Sequence, residues 1–160
     1  MNPARPSAKI QILNRQRRYR IRRRAVAEFC SEALRVLGRP NEVLSVVFVG
    51  AREMRSLNRR FLARDYATDV LSFGYGEPAV EGGPLLGEVV VAPQVAVQQA
   101  ARYGTDPQRE LAGLLIHGIL HLLDYDHEKD RGRMRRVQTR LMRRRFFAAA
   151  RALADLKERR

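Results

Sequence analysis

A chain of 160 residues with 45% hydrophobic content can bury a core of its own and is not a disordered polymer. Its single cysteine, Cys30, excludes an intrachain disulfide, and no apolar run approaches the roughly 20 residues a membrane-spanning helix needs. The net charge of +14 sits at the two ends: residues 1–40 hold 11 Lys/Arg against 2 acids and residues 129–160 hold 13 against 3, while residues 41–128 hold 7 against 12.

In chain order, KIQIL (9–13) reads as a short strand. RRAVAEFCSEALRVLG then places Val26, Phe29, Cys30, Ala33, Leu34 and Leu37 at helical spacing, with Gly38 and Pro40 as stops. Cys30 lies among apolar neighbours, as a buried structural thiol does. EVLSVVFVG (42–50) is a Val-rich strand, and AREMRSLNRRFL a helix with Met54, Leu57 and Phe61 on one stripe. TDVLSF (68–73) and LLGEVVVA (85–92) are two further strands, separated by the Gly/Pro loop GYGEPAVEGGP. Pro93 opens a helix through about Tyr103. Thr105 or Asp106 caps the next helix, which starts at Pro107 and runs to about Leu123. A last helix from about Arg131 runs to the end region, with Met134, Val137 and Leu141 on one side and arginines on the other. The expected fold is α+β: a single domain over residues 1–160, with a small mixed four-stranded sheet packed with helices and basic terminal segments. The Arg-rich start has no apolar stretch or cleavage site of a secretory signal, so a cytoplasmic protein is expected.

All three histidines fall within HGILHLLDYDH, residues 117–127. His117 and His121 are four apart on one predicted helix, hence on one face and one turn apart. His127 follows after a break in the helix. The spacing H-x3-H-x5-H is that of the metzincin proteases, HExxHxxGxxH, so a zincin-like site on a helix followed by a turn is expected. Their turn glycine is replaced here by Asp124, one of the few residue types that tolerate a left-handed conformation. Three imidazoles with an open fourth position make a catalytic zinc site, which activates water near neutral pH. Nickel, cobalt or copper would also suit the ligand set. The protease general base, a Glu after the first His, is Gly118 here, so peptidase action is not expected. A glycine there also suggests room beside the metal for a bulky group such as a nucleotide.

Basic ends around a mildly acidic centre suggest a polyanion gripped from the periphery, with RNA the candidate. Such segments bind backbone by charge without reading bases. Tyr19, Tyr66, Tyr75 and Tyr103 are candidates for stacking on unpaired bases. Arg59, with Arg60 beside it, is the candidate phosphate ligand, because a guanidinium fork matches phosphate. Asp69, Glu88, Asp124 and Asp126 are candidate bases, and Asp126 is also placed to orient a neighbouring ligand. Thr68 and Ser72 can hydrogen-bond phosphate, although structural bonding at a strand is the commoner role for such residues.

Three segments, LNRRFLARDYATDVLSF (57–73), LLGEVVVA (85–92) and HGILHLLDYDH (117–127), together resemble the YbeY family of bacterial rRNA-maturation endoribonucleases, over roughly residues 43–135. The resemblance implies a small α+β fold and a metal, commonly zinc, on His117, His121 and His127. It implies single-strand-specific RNA cleavage in maturation of small-subunit rRNA and in ribosome quality control. The implied partners are ribosomal RNA and the ribosome or small-subunit proteins, with no membrane and no DNA. Asn58, Asp65, Thr68, Asp69, Ser72 and Phe73 fall on the family's second signature. The chain departs from the pattern at Leu62, where the family usually has an arginine linked to RNA cleavage, and at Asp124, where it usually has glycine. Leu62 and Gly118 leave one alternative open, a non-catalytic ribosome-assembly or RNA-binding factor with a structural metal site.

Overall fold

The computed structural model describes residues 7–75, 84–126, 128–143 and 152–157. Most of the loop expected over 74–84 and much of the stretch after Arg143 lie outside the described residues. In chain order the elements are β1 (Lys9–Asn14), β2 (Arg20–Ile21), α1 (Arg23–Val36), β3 (Val43–Phe48), α2 (Ala51–Leu62), β4 (Val70–Gly74), β5 (Leu85–Val91), α3 (Pro93–Tyr103), α4 (Pro107–Leu122), α5 (Arg133–Leu141) and β6 (Ala154–Asp155).

The main sheet has the strand order β1-β3-β5-β4. β1, β3 and β5 are parallel, and β4 closes one edge antiparallel to β5, so the sheet is mixed. The two Val-rich strands, β3 and β5, are the central ones, as strands buried on both faces require. Val46 stands in register with Ile12 on one side and Val89 on the other.

Alternation along these strands divides the core. Leu44, Val46 and Phe48 of β3, with Val89 and Val91 of β5, join the larger cluster. There they meet Val26, Phe29 and Leu34 of α1 and Leu111, Leu115 and Ile119 of α4. Val47, Val49, Leu71 and Val90 belong to the opposite face, against Met54 of α2. Cys30 is buried in the larger cluster, and burial pushes its thiol up to about 12, so it packs as a small hydrophobe. α4 is apolar on most sides because it is central: it touches α1, α3, α5, β4 and β5.

Two glycines let α4 lie down on the β4–β5 pair. A Cβ on Gly118 would stand 2.5 Å from Val89 Cγ1 and 3.2 Å from Ser72 Oγ. A Cβ on Gly87 would stand 2.4 Å from the Phe73 carbonyl oxygen and 2.8 Å from Leu122 Cδ2, and its φ of +149° is strained for any side chain. Gly118 is therefore a packing residue turned to the sheet. The expectation that it leaves room for a nucleotide is corrected: the space beside it is filled by Val89.

The far end of the chain also differs from expectation. The last described helix stops at Leu141 and does not run to the end region. Ala154–Asp155 instead pairs antiparallel with Arg20–Ile21, a two-stranded sheet too short to leave a period-2 signal. Gln108 Nε2 donates to the Ala154 carbonyl at 2.5 Å, which ties this ribbon to the start of α4. Tyr19, expected as a stacking candidate, is 3% exposed in the core beside it, whereas Tyr66, Tyr75 and Tyr103 lie on the surface.

Candidate metal centre

The helix carrying the histidines has well-defined ends. Asp106, and not Thr105, is its N-cap: the carboxylate accepts from Gln108 N–H at 3.0 Å and Pro107 follows at the first helical position. Thr105 Oγ1 instead donates to Glu110 at 2.8 Å. At the other end, Tyr125 N–H donates to the Leu120 carbonyl at 3.0 Å and Asp124 N–H to the His121 carbonyl at 3.1 Å. This is the paired closure of a Schellman motif, and it demands a left-handed residue between the two bonds. Asp124 supplies it with φ of +63°, so the turn survives without the glycine. The helix thus ends within two residues of His121, as the histidine spacing requires.

His117 and His121 converge. Their Nε2 atoms are 3.0 Å apart and their rings meet edge to face with centroids 4.6 Å apart. Two imidazole nitrogens about 2.1 Å from one ion, with an angle between right and tetrahedral, stand about 3.0–3.4 Å apart. The pair therefore fits a shared cation, and nitrogen donors suit zinc. Among the described residues no group of three His, Cys, Asp or Glu side chains is gathered as a metal site. His127, the expected third ligand, lies outside the described residues.

Behind His117 stands Gln138 of α5. His117 Nδ1 is 3.2 Å from Gln138 Oε1, and Gln138 Nε2 donates to the Gly113 carbonyl at 3.4 Å. A groove of about 530 Å³ opens between α4 and α5 here, lined by His117 and Gln138 with Arg109 and Arg135. Sequence reasoning missed Gln138. Its available signal was an amide three and four residues from Leu141 and Met134, on the inward stripe of a helix whose other polar residues are mostly arginine.

The remaining candidates are spread over other elements. Asp69, just before β4, accepts from its neighbour Val70 N–H at 2.8 Å and from Thr68 Oγ1 at 3.3 Å. Asp126 accepts from Glu128 N–H at 3.0 Å in the turn after α4, with Lys129 Nζ 3.8 Å away. Arg59 and Arg60 are both exposed on α2, which packs on the sheet face opposite α4. Arg60 lies over the Phe61 ring, and Arg59 acts on Asp65 at a distance. Glu88 accepts from Ser45 Oγ at 3.0 Å on β5.

The second signature is largely structural. Asn58 is buried and donates to the Tyr66 carbonyl at 2.9 Å, which holds the segment after α2. Arg55 grips Asp65 with two bonds of 2.9 Å, and this hydrogen bonding holds the Asp65 carboxyl below its usual range. Ser72 Oγ donates to the Gly118 carbonyl at 3.0 Å, one residue from His117. This stretch thus braces the β4 edge against the histidine helix.

Comparison with known proteins follows the same lines. A family model described as "Endoribonuclease YbeY" matches residues 10–145. A relative of that name from Anaeromyxobacter sp. (strain Fw109-5) is 44% identical over 126 residues, covering 78% of this chain and 62% of its own, so the match spans less than two thirds of that relative. Another from Thermodesulfovibrio yellowstonii is 31% identical over 150 residues, covering 83% of this chain and 94% of its own. The solution structure of a Thermotoga maritima protein superposes with a TM-score of 0.58 at 28% identity, over 83% of this chain and 86% of that one.

Proposed function

The chain belongs to the YbeY family of endoribonucleases, and from that premise we propose that it hydrolyses single-stranded RNA at a zinc centre held by His117, His121 and His127. The observation that carries this reading is the 3.0 Å approach of the His117 and His121 Nε2 atoms on one face of α4. A zinc ion supplies Lewis-acid chemistry at a phosphodiester when bound.

The chain's own residues do the rest. The Gly118–Val89 fit and the Ser72 bond fix the backbone between the two histidines. Arg59, exposed on α2 across the sheet from α4, is the proposed ligand for a phosphate of the bound strand away from the zinc, a guanidinium fork matched to phosphate. Asp126, part-exposed in the turn after His121, is the carboxylate proposed to accept a proton or orient its neighbour. Asp69 is also a proposed site carboxylate, with one oxygen engaged at the start of β4. The basic ends and the Arg109–Arg135 groove supply sequence-independent attraction for RNA backbone. The proposed substrate is small-subunit ribosomal RNA on or near the ribosome, and the proposed location is accordingly the cytoplasm. Among the described residues no helix is long and apolar enough to cross a membrane.

The test is to purify the wild type and His121→Ala, measure zinc, and compare cleavage of an unstructured RNA. Wild type is expected to carry about one zinc and cut, and His121→Ala to lose both. Equal cutting by the two proteins would leave only a ribosome-assembly factor. Binding of the same RNA is expected to weaken steeply with added salt at constant zinc content, because phosphate contacts release counterions.

A further inference from the structure

Resting on the zinc reading above, we infer that Gln138 is a positioning residue that presets His117 as a metal ligand by fixing which ring nitrogen carries the proton.

The assignment follows from one chain of hydrogen bonds. A backbone carbonyl can only accept, so the Gln138 atom facing the Gly113 oxygen at 3.4 Å is the amide nitrogen. That leaves Gln138 Oε1, an acceptor without a proton, 3.2 Å from His117 Nδ1. His117 Nδ1 must therefore donate. In a neutral imidazole the proton on Nδ1 leaves the lone pair on Nε2, the atom aimed at His121. The Gly113 carbonyl thus sets the amide, the amide sets the ring, and the ring offers its lone pair where the second histidine points. The reversed amide would put two oxygens against each other at Gly113, which is what excludes it.

The placement has a second consequence. Gln138 sits on α5 between Met134 and Leu141, both buried against the core. The ring orientation of a residue on α4 is in this way tied to the docking of α5. Ligand geometry and helix packing are one arrangement, and no ordering of the His117 ring is left for the moment of binding.

Three proteins test this: wild type, Gln138→Met, which keeps length and loses the amide acceptor, and Gln138→Glu, which keeps an acceptor and loses the donor to Gly113. Each full-length chain is stripped of metal and titrated with zinc against a chelating dye. The ring nitrogens of the metal-free chain are read by ¹⁵N NMR. Gln138→Met is expected to bind zinc about 10–100-fold more weakly, with His117 as a mixture of tautomers, while its metal-free melting stays near wild type. Gln138→Glu is expected to hold the Nδ1–H tautomer and to retain zinc binding. Zinc affinity of Gln138→Met within about twofold of wild type, with the tautomer unchanged, overturns the inference. Should Gln138→Met not fold, loss of the Nδ1–H tautomer in Gln138→Glu overturns it instead. A wild type that takes up no zinc but shows His117 protonated at Nδ1 refutes the zinc reading and with it the ligand role.

Discussion

The two faces of the sheet are built to different standards. The face under α4 and α1 is closed: Val46, Phe48, Val89 and Val91 meet helix residues with no exposed surface, and Gly118 and Gly87 bring backbone within side-chain distance. The face under α2 is closed only around Val47, Val90 and Met54. Beyond that point it opens into a pocket of about 270 Å³ lined by Arg15, Arg60, Phe61, Phe73, Tyr75 and Glu88. Phe61 is 52% exposed there and touches Phe73 edge-on, at 5.1 Å between centroids. The histidine pair belongs to the closed face. Nitrogens that must meet within a few tenths of an ångström need a helix that cannot shift, and dense packing supplies that rigidity.

The largest expected contrast comes from truncating one apolar side chain on each face. Leu115→Ala, in the closed face, should cost about 3 kcal/mol through lost burial and a residual cavity. Phe61→Ala should cost about 1 kcal/mol, because half of the ring is already in water and its pairing with Phe73 is worth only that order. Urea denaturation of the two variants decides the matter, and similar costs would erase the distinction between the faces. Next is Gly118→Ala. The stiff Val89 side chain has no easy escape from the added methyl, so a loss of about 2 kcal/mol and weaker zinc binding are expected. Val89→Ala in the same chain should restore most of the zinc affinity. If it does not, the glycine matters for some reason other than the contact with β5.

A smaller effect is expected at the end of α4. Asp124→Val should cost about 1–2 kcal/mol, since a β-branched residue resists the left-handed conformation, whereas Asp124→Gly should be close to neutral in thermal melts. The smallest lies on the open face, at the exposed Arg55–Asp65 pair. Bonding to Arg55 lowers the Asp65 pKa in the folded chain. Its contribution is therefore present above the unfolded carboxyl value and lost as pH falls through the lowered folded one. The difference in urea midpoint between wild type and Asp65→Asn should be slight at pH 7, shrink with salt, and vanish in strong acid. A difference that persisted in acid would mean that Asp65 acts through something other than its charge.

What the sequence by itself determined were the features that depend on near neighbours along the chain. The α+β class, the existence of the Val-rich strands, the α4 start, the shared face of His117 and His121, and a left-handed turn at Asp124 all follow from backbone periodicity and local conformational preference. Through-space questions were decided only when distant segments came together. Gly118 reads as open space beside a metal until Val89, 29 positions earlier, is found against it. Tyr19 reads as a surface ring until the fold buries it, and Ala154–Asp155 as part of a helix until Arg20–Ile21 lies alongside. Gln138 has no role in the sequence reading until α5 docks on α4 and turns it toward His117. The physical reason is the range of the interactions: a repeat of 3.6 residues selects which side chains share a face, but it carries no information about which atoms of another segment that face will meet.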